Sequence, residues 1–184
     1  MAAQVVIHVG GGVNVPTLAI AILGLTLSAA SLTWQTASFR LSGPRVKLRL
    51  LRGFLMSDEI VSAPVDAPDP AQMMTRQGRE GTPLLGVSVK NVGRMPTTIE
   101  SASAKTNTGV EFSQPRWHIN PEQNYRLEPH SSATWWVPME AVARVVAATA
   151  AMKPEWNHPQ DLRMAVSLAS GRTITTRQHL TIEP

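Results

Sequence analysis

The chain has no cysteine among its 184 residues. Disulfides, thiolate metal sites and cysteine nucleophiles are therefore excluded. Charge is missing too, but only in one place: residues 1–39 contain no Lys, Arg, Asp or Glu. Aromatic residues are scarce at 5%, with one tyrosine and five tryptophans. Patterns that name a chemistry are also missing. Neither GxGxxG nor GxxxxGK[ST] occurs, so Gly10-Gly11-Gly12 reads as a flexible spacer and not as a phosphate loop. There is no HExxH and no GxSxG elbow. His8, His118, His130, His158 and His179 are scattered, with no pair at helical or hairpin ligand spacing. Carboxylates are isolated or fall in loop-like stretches, so no acid/base pair can be named. No catalytic residue, metal or cofactor is expected.

The absence of charge near the start defines the strongest feature. Pro16 to Phe39 is a run of twenty-four uncharged residues, followed by Arg40, Arg45, Lys47, Arg49 and Arg52. At helical rise that run is long enough to cross a hydrocarbon core of about 30 Å. Leu18, Ile20, Ile22, Leu23, Leu25, Leu27 and Leu32 supply the apolar surface, and Trp34 falls near the basic end, where amphipathic rings favour the lipid interface. Interspersed Ser and Thr can bond back to their own helix carbonyls. Pro16 suits a first helical turn and Asn14 a cap. Two competitors exist: a buried core helix, which seldom lacks a polar face for so long, and a cleaved signal, disfavoured because no basic region precedes the run.

Five basic groups and no acid in residues 40–56 place the C-terminal side in the cytoplasm by the positive-inside rule. The reading is thus a single-pass protein of the cell membrane. A sequence pI near 10.1 is of the kind seen in nucleic-acid binders, but residues 57–184 hold twelve Lys and Arg against thirteen Asp and Glu. The excess positive charge sits beside the span, and no nucleic acid partner is expected. Thr17, Ala21, Gly24 and Ser28 lie three or four apart, a spacing that permits close pairing of two such helices and hence a homo-oligomer.

Beyond the span, about 145 residues suffice for one domain with a real core. Val46, Leu48 and Leu50 alternate with Arg45, Lys47 and Arg49, the period of a strand with one basic face. That face either meets anionic headgroups, at about 1 kcal/mol per residue, or is the solvated side of an edge strand. Residues 57–83 are rich in Pro and charge and are expected as a surface loop or linker, a candidate partner-binding segment. From Leu84 the chain reads as short strands and turns: Leu85, Val87 and Val89, a corner at Asn91 to Pro96, a turn at Asn107-Thr108-Gly109, strands at Tyr125 to Leu127 and Ala133 to Val137, and a final hairpin about Ser170-Gly171. In that hairpin Leu162, Met164, Val166 and Leu168 face Ile174, Thr176, Leu180 and Ile182. One helix interrupts the series, with Val142, Val145, Val146, Thr149 and Met152 as its apolar stripe and Lys153-Pro154 as its end.

The expected architecture is mainly β. It comprises a lead over 1–15, a transmembrane helix over 16–39, a basic segment and first strand over 40–56, and a loop over 57–83. The rest of an antiparallel immunoglobulin-like sandwich follows over 84–184, with one inserted amphipathic helix. The run Val87-Ser88-Val89-Lys90-Asn91-Val92-Gly93-Arg94-Met95-Pro96, with Leu127-Glu128-Pro129-His130-Ser131 and Ala133-Thr134-Trp135-Trp136-Val137, resembles a V-x-V-x-N-x-G-x-x-P and L-x-P-G/H-x-S-x-x-W pattern. That pattern belongs to small uncharacterised actinobacterial and actinophage single-span proteins. The resemblance covers about a third of the chain, implies a membrane-anchored sandwich, and carries no catalytic residue.

Two functions of different kind fit these features. The first is a non-enzymatic module held at the bilayer and presenting the sandwich to a protein partner, with Trp117, Trp136 and Trp156 as candidate contacts. The second is an assembly protein of a phage or membrane complex, whose apolar helix packs against other subunits. An enzyme comes third, because no catalytic residue can be named.

Overall fold

A computed structural model describes residues 15–57, 59–113 and 118–183, with the side chains of 39–42 set aside. The lead, Arg40's side chain and Trp117 lie outside the described residues. The chain runs α1 (Val15–Ser42), β1 (Val46–Met56), β2 (Glu59–Pro64), α2 (Pro70–Arg76), β3 (Thr82–Asn91), β4 (Thr97–Thr106), β5 (Glu111–Phe112), β6 (Tyr125–Leu127), β7 (Ser132–Pro138), α3 (Met139–Met152), a 3₁₀ turn over Pro154–Trp156, β8 (Gln160–Leu168), β9 (Thr173–Thr175) and β10 (Leu180–Ile182). It divides into two units, Met1–Ser42 and Gly43–Pro184.

The first unit contains α1, three residues longer at its C-terminal end than the uncharged run. Its large apolar side chains point outward on every side, from Leu18 at 49% exposure to Leu27 at 77%. The hydroxyls do what a low-dielectric environment would demand of them. Thr26, Ser28, Thr33 and Thr36 donate to the carbonyls of Leu23, Gly24, Ala29 and Leu32 at 2.8–2.9 Å.

The second unit is mainly β, two antiparallel sheets packed as a sandwich. One sheet has the order β2-β1-β3-β7; in the other, β10-β8-β4-β5, the short β6 also pairs with β4 and β9 with β8. Period-2 alternation decides which residues enter the core. Leu50 stands opposite Val87 and Leu48 opposite Val89; Leu85, Val137 and Trp135 complete that inner face. Ile99, Ala104, Met164, Val166 and Leu168 answer from the second sheet, all 5% exposed or less. Each of the Leu, Ile, Val and Met side chains among them contributes about 1.5–3 kcal/mol through burial. Val142 and Val146 bring α3 into the same core, as the helical stripe predicts, while Met152 stands 74% exposed at the frayed end. The predicted turns form as well, with Gly109 at φ +90° and Gly171 at φ +77°, where a side chain would be strained.

Residues 57–83 differ from expectation. They are ordered as β2, an edge strand pairing with β1 from Leu51 to Met56, and α2. Proline here punctuates: Pro64 ends the edge strand, where a missing N–H is tolerated, and Pro70 opens α2. Asp69 caps that helix through Ala71 N–H at 2.9 Å. The last hairpin departs in a smaller way. Its returning strand breaks into β9 and β10, because five residues, Thr175 to His179, bridge a register gap from Ala165 to Leu162 that three steps of β8 would span.

Trp136 is also placed differently from its expectation as a surface contact. Trp135 and Trp136 point to opposite faces of the sheet, yet both are only 6% exposed. The indole of Trp136 lies flat over Gly53 and Gly86 on neighbouring strands. A Cβ on Gly53 would come within 2.7 Å of its Cζ3, and one on Gly86 would overlap Cε3 and Cζ3. The backbone of Trp136 is covered as well, its N–H donating to Asn120 Oδ1 at 2.7 Å and its carbonyl accepting from Asn120 Nδ2 at 2.9 Å. That pair shields the β7 edge from foreign strands. Replacing Gly86 by Ala should push the indole off its seat and cost about 1–3 kcal/mol. The urea midpoint of the detergent-solubilised chain measures this, and an unchanged midpoint would contradict the stacking.

Candidate functional site

The residues that sequence reasoning groups as one basic segment separate in the structure. Lys47 and Arg49 are exposed on the outer face of β1, as the alternation requires. Arg52 is not a headgroup contact. Even-numbered positions of β1 face the core, so its side chain turns inward opposite Leu85 and reaches Asp69 Oδ2 at 3.7 Å, with about a quarter of each side chain exposed. Its Nε is buried without a partner among the described residues. Asp69 thus both caps α2 and holds this cation, beside a cleft of about 320 Å³.

A second set of cations takes the place of Arg52. Asn91, fully buried, accepts from Arg45 N–H at 3.4 Å and Gly93 N–H at 3.0 Å through Oδ1, and donates through Nδ2 to the carbonyls of Met95 at 2.8 Å and Leu127 at 3.3 Å. Val92 N–H donates to Arg45 at 2.7 Å, Asn91 N–H to Ser131 at 3.0 Å, and Ala169 N–H to Thr98 at 3.0 Å. These bonds gather the start of β1 and the β3–β4, β6–β7 and β8–β9 turns at one end of the sandwich, the end where the chain enters. Gly93 has no room for a side chain there, since a Cβ would meet Arg45 N at 2.5 Å.

Exposed cations at this end include Arg45, Lys47, Lys90, Arg94, Arg126 and Arg172, with Met95 at 50% exposure among them, and Arg177 lies further along, in the bulge between β9 and β10. The one acid in these turns, Glu128, is held by Arg126 at 2.8 Å. Arg94, Arg172 and Arg177 are members that sequence reasoning missed. Arg94 and Arg172 sit in Asn-Val-Gly-Arg and Ser-Gly-Arg turns, and a cation in a turn next to a glycine is the signal that could have found them.

Trp156 stands on the 3₁₀ turn after α3. Trp156 is half-buried, its ring beneath Lys153 Nζ at 4.2 Å. Together with Gln160 and α3 it lines a crevice with about 10 Å³ of free space, room for one water. Gln160, 2% exposed, accepts from Thr108 Oγ1 at 2.9 Å and bonds the Trp156 carbonyl and His158 Nδ1, each at 3.0 Å. His158 thereby joins a polar knot around Gln160. Among the described residues no three His, Asp or Glu side chains are grouped as a metal site. α1 is the one helix among them that is long and apolar enough to cross a membrane, with mean hydropathy 1.9 over Val15–Ser38 and no buried residue.

Asn91→Ala should strand at least two buried backbone groups, at a cost of about 1–3 kcal/mol each. The expected readout is faster amide exchange at Val92 and Gly93 with a lowered urea midpoint; slow exchange in the variant would show that the end is held by other contacts.

No family model and no curated protein matches this chain. Among solved structures it is similar to the Northeast Structural Genomics Consortium target SoR45, with 7% identity, 76% of this chain and 86% of that one covered, and a TM-score of 0.30. At that level the likeness carries no argument about function.

Proposed function

We propose that the protein is a non-enzymatic, membrane-tethered interaction module, in which α1 fixes it in the bilayer and the sandwich presents a protein-binding surface on the cytoplasmic side. One observation carries the reading. α1 exposes apolar side chains all round and satisfies its own hydroxyls, so it has neither a polar face for water nor a buried face for a core. The entry end of the sandwich supports it, because its cations outnumber Glu128, the one acid of its turns, which suits the negative cytoplasmic leaflet. The tie between them is short: Gly43, Pro44 and Arg45 alone separate α1 from β1. The resemblance to actinobacterial and actinophage single-span proteins belongs to the same proposal.

The test is carbonate extraction of the membrane fraction, with protease protection of tags at both termini in spheroplasts. The expected result is a chain that stays with the membrane and a C-terminal tag cleaved only after the membrane is opened. A chain released by carbonate would overturn the reading in favour of an assembly protein whose apolar helix packs on neighbouring subunits. A C-terminal tag cleaved in intact spheroplasts would reverse the orientation.

A further inference from the structure

We propose that the groove between the open edge of β1 and the bulge joining β9 to β10 binds the phosphate headgroup of an anionic phospholipid; this rests on the reading of α1 as a membrane anchor.

The groove has a volume of about 570 Å³ and is walled by Lys47 on one side and by Arg172 and Arg177 on the other, over a floor of Val46, Leu48 and Ile174. No carboxylate lines it. Among the described residues Lys47, Arg172 and Arg177 make no ion pair. Three cations lining one groove without an acid repel one another, and a phosphate is the group that relieves this, since guanidinium forks donate to it in pairs. The apolar floor suits the glycerol and upper acyl carbons of a lipid and offers nothing to a free inorganic anion.

The backbone adds a neutral donor. Along β1 the even-numbered residues turn their amides away from β3, as Leu50 shows by donating to Gln178 Oε1 at 3.0 Å. β2 covers this edge only from Leu51 onward. The amide of Leu48 therefore faces the groove. The same stub is too short for an extended peptide. Only Val46 and Leu48 present backbone groups before Gln178 closes the edge, whereas a paired strand usually runs about five or six residues. Position along the chain agrees with chemistry, because one wall of the groove is Val46, Lys47 and Leu48, the first three residues of β1.

The experiment uses the full chain in nanodiscs of phosphatidylcholine alone and of phosphatidylcholine mixed with phosphatidylglycerol, read by hydrogen exchange. In the mixed discs the Leu48 amide and the segment 172–178 should exchange at least about tenfold more slowly, with protection falling as salt rises. The K47Q/R172Q/R177Q variant should lose that protection, while K105Q/R144Q/R163Q, which removes as many charges elsewhere on the domain, should keep it. Equal exchange in both kinds of disc, or protection that survives in the first variant, overturns the site. So does protection by polyglutamate in phosphatidylcholine discs with none from phosphatidylglycerol, which would make the groove a peptide site. Retention on the discs in carbonate accompanies every one of these results if the anchor is sound, so a chain that is stripped marks failure of the anchor and not of the groove alone.

Discussion

The sandwich depends on one buried amide. Asn91 has no exposed surface and all four of its side-chain bonds run to backbone, two received and two given. An aspartate could not donate and a leucine could do neither, so the position demands both halves of an amide. What the bonds hold is not one element but the meeting of three: the chain entering β1, the corner between β3 and β4, and the end of β6. The close approach of Gly93 to the backbone at Arg45 makes the corner tight enough for this to work. A motif that resembles a family pattern is thus, in physical terms, the clasp of one end of the domain.

Edges impose the second constraint. A sandwich of open sheets must cover the amides of its outer strands or invite foreign ones. Two side chains do so here by imitating backbone. Asn120 both accepts from and donates to Trp136 on β7, and Gln178 accepts from Leu50 on β1. The bulge that breaks β9 from β10 is what carries Gln178 across to the other sheet. An irregularity in one hairpin thereby closes the side of the sandwich, while leaving the first residues of β1 uncovered.

What was legible in the sequence follows from which interactions are local. The uncharged run marks α1, alternation marks β1 and β8, and the i, i+3, i+4 stripe places Val142 and Val146 of α3 in the core, because each signal is set by neighbours in the chain. Trp136 was misplaced because its burial is decided by glycines 83 and 50 residues earlier. Residues 57–83 read by composition as a surface loop or linker, yet β1 supplies the partner that makes β2 a strand. Arg52 was read with the basic cluster because it is near in number; the strand's parity turns it the other way, to Asp69. The basic end was only half visible, since Arg94, Arg172 and Arg177 arrive from turns that nothing local ties to Arg45.

The distribution of charge then acquires a reason that folding does not supply. Neighbouring cations repel, and among the described residues Lys47, Arg94, Arg172 and Arg177 have no acid partner, as is also true of Arg49, Arg76, Lys90, Lys105 and Arg163, whereas Arg52, Arg126 and Arg144 do. A surface shaped by stability alone would intersperse the signs. Several of the unpaired cations lie near the start of β1, and an external negative surface at that place would balance them.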